Sequence, residues 1–211
     1  MGSVGSDHDA RNTRNGTGPA VPETAMAVKI LIAGGFGVGK TTMVGAISEV
    51  EPLSTEEVMT VAGVGVDDLD GIADKGTTTV ALDFGRITLD EDLVLYLFGT
   101  PGQERFWSMW DDLAVGALGA VVLVDTRRLD ASFGSIDFFE RRRIPFVVGV
   151  NQFDGVIEHT EAEIRTALDL DPHVPTVMCD VRQRSSCREV LLALIDHLAA
   201  QVPDEPLEAV R

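Results

Sequence analysis

Eight consecutive residues, Gly34-Gly35-Phe36-Gly37-Val38-Gly39-Lys40-Thr41, have the types and spacing to hold a polyphosphate. They fit the pattern G-x-x-x-x-G-K-[ST]. Glycines let backbone N–H groups turn inward around phosphate oxygens, and a helix opening at the lysine adds the positive end of its dipole. Lys40 is placed to reach the β- and γ-phosphates and the Thr41 hydroxyl to ligate Mg²⁺, with Thr42 next in the binding set. The alternative is a Gly-rich turn holding a lysine by chance. It is the poorer one, because the chain has only three lysines, Lys29, Lys40 and Lys75, and the segment follows a strand-like run and opens a helix-like one. A nucleoside triphosphate with magnesium is the expected ligand.

Two further segments bear on which nucleotide and what is done to it. In Asn151-Gln152-Phe153-Asp154, the Asp154 carboxylate at a strand's end would accept two hydrogen bonds from guanine N1 and its exocyclic amine. Adenine offers no such pair of donors, and an unpaired buried carboxylate is costly. An ordinary turn or helix cap is the competing reading. In Gly99-Thr100-Pro101-Gly102-Gln103-Glu104-Arg105-Phe106, Gly102 is placed to swing its N–H toward a γ-phosphate and Gln103 to orient an attacking water. Here the alternative is a Pro-Gly turn with a surface glutamine. Upstream, one threonine of Lys75-Gly76-Thr77-Thr78-Thr79, with Thr79 the candidate, would cap Mg²⁺; the run also reads as a Thr-rich strand start.

These segments need elements to position them. Val28-Lys29-Ile30-Leu31-Ile32-Ala33 is a β-branched apolar run ending in glycines. The pattern then predicts a helix over 41–50, strands over 79–89 and 93–98 meeting in a hairpin at Asp90-Glu91-Asp92, and a strand over 120–125. A helix near 133–142, a strand over 145–150, a helix from Thr160, a strand over 174–179 and a helix over 186–201 follow. Both late helices show a capping-box pattern, Thr160-x-x-Glu163 and Ser186-x-x-Glu189. Six strands alternating with about five helices imply a three-layer α/β fold, its sheet mostly parallel with one antiparallel edge strand. Residues 1–27 and 202–211 read as flexible tails around one domain, 28–201.

Composition sets the bounds. With 211 residues and 45% hydrophobic content the chain has enough material for one packed core. A formal net charge of −17 repels nucleic-acid backbones and anionic lipid. Two cysteines, Cys179 and Cys187, are too few for a disulfide scaffold and suit a reducing, cytoplasmic setting. No apolar run approaches the roughly 18 residues of a membrane span, so any membrane recruitment would go through a partner.

Taken in order, these segments resemble the Ras-like small GTPases over nearly all of residues 28–201, and more closely their prokaryotic MglA-like branch. Thr77 to Ile87, Phe98 to Trp107 and Val177-Met178-Cys179-Asp180-Val181-Arg182 are similar to the actinobacterial conservon GTPases of the CvnD type. The resemblance implies a GTP/GDP switch with slow hydrolysis, and Cys179, Asp180 and Val181 as a further base-side segment. It also implies a Roadblock-fold protein and a sensor-kinase-like protein as partners. Three departures matter. Gly99 stands where an aspartate is usual, and Asp83 is the candidate replacement, unless it is an outward-facing aspartate on an edge strand. Gln152 replaces a lysine. Residues 51–78 contain no arginine to act as a finger, and Arg105 is either an internal substitute or a solvated charge. A non-hydrolysing nucleotide-binding scaffold and a P-loop ATPase or kinase are the alternative functions. Phe106, Met109 and Trp110 share one helix face, which leaves Trp107 as an interface anchor. Between Glu51 and Asp74 lie seven acids and no base, a surface for a positively charged partner.

Overall fold

The β-branched run at Val28 to Ala33 forms the middle of β1 (Met26–Gly34), whose C-terminal half is fully buried. Around it the chain adds α1 (Lys40–Ile47), β2 (Leu53–Thr60), β3 (Thr77–Thr88), β4 (Leu93–Gly99), α2 (Ser108–Ala114) and β5 (Ala117–Val124). Then come α3 (Asp130–Arg142), β6 (Phe146–Asn151), α4 (Glu161–Ala167), β7 (Thr176–Cys179) and α5 (Arg184–Ala199). This computed structural model describes residues 25–51, 53–60, 77–102, 106–155 and 159–201, with backbone alone for 53–60, 77–81 and 154. Most of both expected tails and the acidic stretch 61–74 lie outside the described residues.

The sheet runs β2-β3-β4-β1-β5-β6-β7. From β4 to β7 every pairing is parallel, while β3 runs antiparallel to both its neighbours. The expected mostly parallel α/β sheet is therefore present, and the hairpin joining β3 to β4 closes with Leu89 N–H on the Leu93 carbonyl. Two details differ from the expectation. The sheet has seven strands, because Leu53–Thr60 forms an outer strand, and so the antiparallel strand lies one in from the edge. The sequence Leu-Ser-Thr-Glu-Glu-Val-Met-Thr has no alternating apolar face. Its order comes from ladder bonds to β3, and charge on an edge strand is what keeps such an edge from pairing further.

Alternation along β1 splits the core in two. Ile30 and Ile32 face α1 and α5 with Met43, Leu97, Val190 and Leu194. Leu31 and Ala33 face the other layer with Trp110, Val122, Phe139 and Ile164. Thr160 caps α4 with the full reciprocal box to Glu163. The second box does not form: α5 begins two residues earlier, at Arg184, with no side-chain cap at Gln183. Ser186 serves another bond instead, its Oγ accepting the Asp180 N–H at 3.0 Å. Because the central strands are parallel, their C-terminal ends and the loops that follow gather along one edge of the sheet, the place where open α/β folds bind ligands.

Candidate nucleotide site

At that edge the residues after β1 make a turn that only glycine allows at its closing position. Gly39, the residue before α1, has φ +110°, and a Cβ there would lie 2.8 Å from Val181. The loop wraps a cavity of about 320 Å³ lined by Phe36, Gly37, Gly39, Lys40, Thr41, Thr42, Asp83, Thr100, Pro101 and Gly102. Gly34, Gly35 and Val38 of the same loop are buried.

Lys40 is the one lysine at the cavity. Lys29 bonds the Val115 carbonyl, and Lys75 lies outside the described residues. The Lys40 ammonium donates to the carbonyls of Gly34 at 2.9 Å and Gly35 at 2.7 Å. Burial pushes its pKa down to about 8, against the opposing charge of Asp83. A cation held out of water and bonded only to neutral carbonyls is poised to exchange them for phosphate oxygens.

Asp83 is turned inward. It pairs with Gly99 across the β3–β4 ladder, and its Oδ2 accepts the Thr41 hydroxyl at 2.6 Å. A Cβ on Gly99 would lie 3.0 Å from that carboxylate, so Asp83 fills the space in front of Gly99. Beside it, Thr100 Oγ1 is buried without a hydrogen-bond partner among the described residues. The Thr41 hydroxyl, the Asp83 carboxylate and the unsatisfied Thr100 hydroxyl are hard oxygens of the kind that suits Mg²⁺ shared with phosphates. Among the described residues no three His, Cys, Asp or Glu side chains gather into a metal site of their own. The residues therefore fit a magnesium ion completed by a polyphosphate rather than a protein-only cage.

Gly102 approaches the loop closely, with the Phe36 backbone 2.9 Å from where its Cβ would be. Gln103 and Arg105 lie outside the described residues. Thr79 is on β3, opposite Val58, and only its backbone is described. Trp110 is buried and donates its indole N–H to the Pro101 carbonyl at 3.1 Å, fixing the strand end that leads to Gly102.

The segments that begin at Asn151 and at Cys179 meet the loop through Asn151. Its amide donates to the Val38 carbonyl at 3.0 Å and accepts the Val181 N–H at 3.2 Å. Gln152 donates its N–H to the Cys179 carbonyl at 2.7 Å. Asp154 sits in a short 3-10 turn, Phe153–Gly155, described there by its backbone alone. Cys179 contributes that carbonyl, while its thiol is turned into the core and pushed up to about 12 by burial. The Asp180 carboxylate is engaged by Arg182, whose hydrogen bonds hold it below the usual carboxylate range.

The turn after β5 was not anticipated. Asp125 there is buried and binds Arg127, and Arg128 donates to the Phe36 carbonyl at 2.7 Å. An acid two residues ahead of paired arginines, straight after the apolar run Ala120 to Val124, is the signal that would have found it.

A glycine-rich loop, its lysine and an inward carboxylate at the carboxyl edge of a mostly parallel sheet define a P-loop nucleotide-binding protein. The chain belongs to the family described as conserved hypothetical ATP binding proteins, whose family model matches residues 32–201. It is 31% identical over 142 residues, 64% of this chain and 76% of the relative, to the uncharacterized protein MJ1339 of Methanocaldococcus jannaschii. In fold it is similar to the FeoB G-domain of Methanococcus jannaschii, with a TM-score of 0.55 at 14% identity, covering 82% of this chain and 98% of that one. It is likewise similar to the cytosolic domain of the T. maritima FeoB iron transporter in a GDP form, with a TM-score of 0.59 at 15% identity, covering 85% and 65%. Among the described residues no helix is long and apolar enough to cross a membrane.

Proposed function

We propose that the protein binds GTP and GDP with Mg²⁺ and hydrolyses GTP slowly as a nucleotide-dependent switch. The observation that carries this reading is Asn151, whose one amide ties the phosphate loop at Val38 to the Cys179–Val181 segment. The Asn-Gln-Phe-Asp turn is thereby anchored beside the phosphate cavity, with Asp154 as the acceptor for the guanine edge. Structural similarity to a G-domain, and to a cytosolic domain in a GDP form, supports the same reading.

In this reading Gly34, Gly35, Gly37, Val38 and Gly39 present backbone N–H groups, and Lys40 leaves its two carbonyls for the β- and γ-phosphates. Thr41 and Asp83 would hold Mg²⁺, joined by Thr79; the ion would supply charge neutralisation on the phosphates. Gly102 would turn its N–H to the γ-phosphate and Gln103 would orient water. The Roadblock-fold and sensor-kinase-like partners are part of the proposal. They would meet exposed apolar residues, Phe36 at the cavity and Trp107 just before α2.

A specific observation favours a second reading, ATP binding: the family's own description. Denaturing the purified protein and identifying the released nucleotide separates the two. Guanine nucleotide is expected. Asp154→Asn should then lose GTP and gain xanthosine triphosphate, because the amide donates to the extra carbonyl of that base. Released ATP, or a variant that still binds GTP as the parent does, overturns the guanine reading.

A further inference from the structure

Four carbonyls of the phosphate loop accept hydrogen bonds from side chains: Gly34 and Gly35 from Lys40, Phe36 from Arg128 and Val38 from Asn151. A phosphate that draws Lys40 away leaves Arg128 and Asn151 as the side-chain anchors. Arg128 holds the corner at Phe36, where Gly102 comes closest to the loop.

How Arg128 comes to be there follows from the turn after β5. Asp125 binds Arg127 through its backbone N–H at 3.0 Å and its guanidinium at 2.9 Å on each carboxylate oxygen. That carboxylate is spoken for, and Arg128 approaches it only to 3.9 Å. The Arg128 Nη2 spans to the Phe36 carbonyl at 2.7 Å and lies 3.6 Å from where a Gly37 side chain would stand. Arg127 meanwhile lies over the Phe153 ring, 3.9 Å from its centroid. One Asp125-held turn therefore touches both the loop and the base-side segment, where position 152 is an uncharged glutamine.

We propose that Arg128 is a positioning residue for nucleotide binding, bringing a fixed positive charge to the outside of the phosphate loop and holding the Phe36–Gly37 corner in its binding shape. The proposal rests on the reading that the cavity takes a guanine nucleotide. A charged donor makes a stronger bond to the carbonyl than a neutral one. In a chain of net charge −17 each cation beside a polyphosphate offsets repulsion that would otherwise weaken binding. The forked guanidinium suits the place because it grips the carbonyl with one arm while facing Asp125 with another, which an ammonium cannot do in one geometry.

The test is the release rate of fluorescent GDP from the full chain and from Arg128→Ala, Arg128→Gln and Arg128→Lys, beside nucleotide-free melting of each. Arg128→Ala should release GDP about tenfold faster, with Arg128→Gln close to it. Arg128→Lys keeps the charge but not the fork and should recover only part of the loss, and nucleotide-free melting should be unchanged in all three. Parent-like release from Arg128→Ala overturns the proposal. So does recovery by glutamine equal to that by lysine, or a loss of affinity matched by a loss of nucleotide-free stability. A parent that binds ATP and not GDP overturns the guanine reading alone, and the same series run with ATP then decides Arg128. A parent that binds neither overturns both.

Discussion

Asp83 stands opposite Gly99 in the β3–β4 ladder and accepts the Thr41 hydroxyl at 2.6 Å, so the carboxylate at the phosphate cavity is delivered from the strand beside the one where position 99 lies. The two positions share one space: a Cβ on Gly99 would come within 3.0 Å of the Asp83 carboxylate. A strand neighbour thus occupies the room in which a side chain at 99 would otherwise sit.

If that carboxylate serves magnesium, Asp83→Ala should weaken GTP binding about tenfold or more in magnesium and far less in chelator. Gly99→Asp alone should do worse than Asp83→Ala, since two carboxylates would crowd one site. The exchange Asp83→Gly with Gly99→Asp should recover part of the loss. Titrations of a fluorescent GTP analogue with and without EDTA decide it, and equal losses in both conditions would mean that Asp83 serves packing.

The Phe36–Gly102 approach gives a second outcome. An alanine at 102 would put its methyl 2.5 Å from the Lys40 ammonium and 2.9 Å from the Phe36 backbone. The lysine has room to yield; the backbone does not. Gly102→Ala should therefore weaken a non-hydrolysable GTP analogue several-fold more than GDP, because the crowding falls on the corner that would meet the γ-phosphate. Competition binding reads the ratio, and equal weakening would place the damage elsewhere in the loop.

How far the sequence carried can be seen residue by residue. The phosphate loop and the hairpin were legible because glycine spacing and apolar runs are local signals, and the loop itself lies within one strand–loop–helix unit. Asp83 was ambiguous, since one chain cannot say which strand lies beside which; the ladder pairing with Gly99 settles where its side chain points. The strand Leu53–Thr60 was missed because it is held by backbone bonds and carries no apolar stripe. Ser186 read as a helix cap because its spacing to Glu189 fits, but a hydroxyl takes whichever N–H the fold brings nearest, here that of Asp180. The Asp125-x-Arg127-Arg128 turn left a local signal, but the contact Arg128 makes could not be read, because its partner Phe36 is distant in the chain.

Burial of both cysteines fixes a pH response. The Cys179 thiol is pushed from an ordinary value of 9.0 up to about 12 and Cys187 up to about 11, each mainly by burial. At pH 8 the native thiolate fraction is then about one in a thousand or less. Alkylation followed by mass spectrometry should label neither thiol until the chain opens, and bound nucleotide should slow labelling further. The sign for stability is negative with rising pH. Above pH 9 the unfolded thiols lose protons that the folded ones keep, so stability falls there, and Cys179→Ala with Cys187→Ala should flatten the decline. Rapid labelling of native protein at pH 8 would show that the thiols are not enclosed.

The last outcome concerns the two tryptophans, which divide the roles one helix face could not hold. Trp110 is buried, packs edge-on against Phe138 and bonds the Pro101 carbonyl, one residue before Gly102. A pull on Gly102 by a γ-phosphate therefore passes to its indole N–H, and intrinsic fluorescence should differ between GDP and a non-hydrolysable GTP analogue. Trp107 is 38% exposed, and its ring covers Gly134 on α3 so closely that a Cβ there would lie 2.2 Å from it. Gly134→Ala must push that ring outward, since neither the helix backbone nor an alanine methyl gives way. Its emission should shift to the red, with GDP affinity within about twofold of the parent because nothing at the loop has moved. The difference between nucleotide states should survive in Gly134→Ala and in Trp107→Phe, and should vanish in Trp110→Phe. A state-dependent signal that instead follows Trp107 would place the moving contact on α3 rather than on the strand end that Trp110 holds.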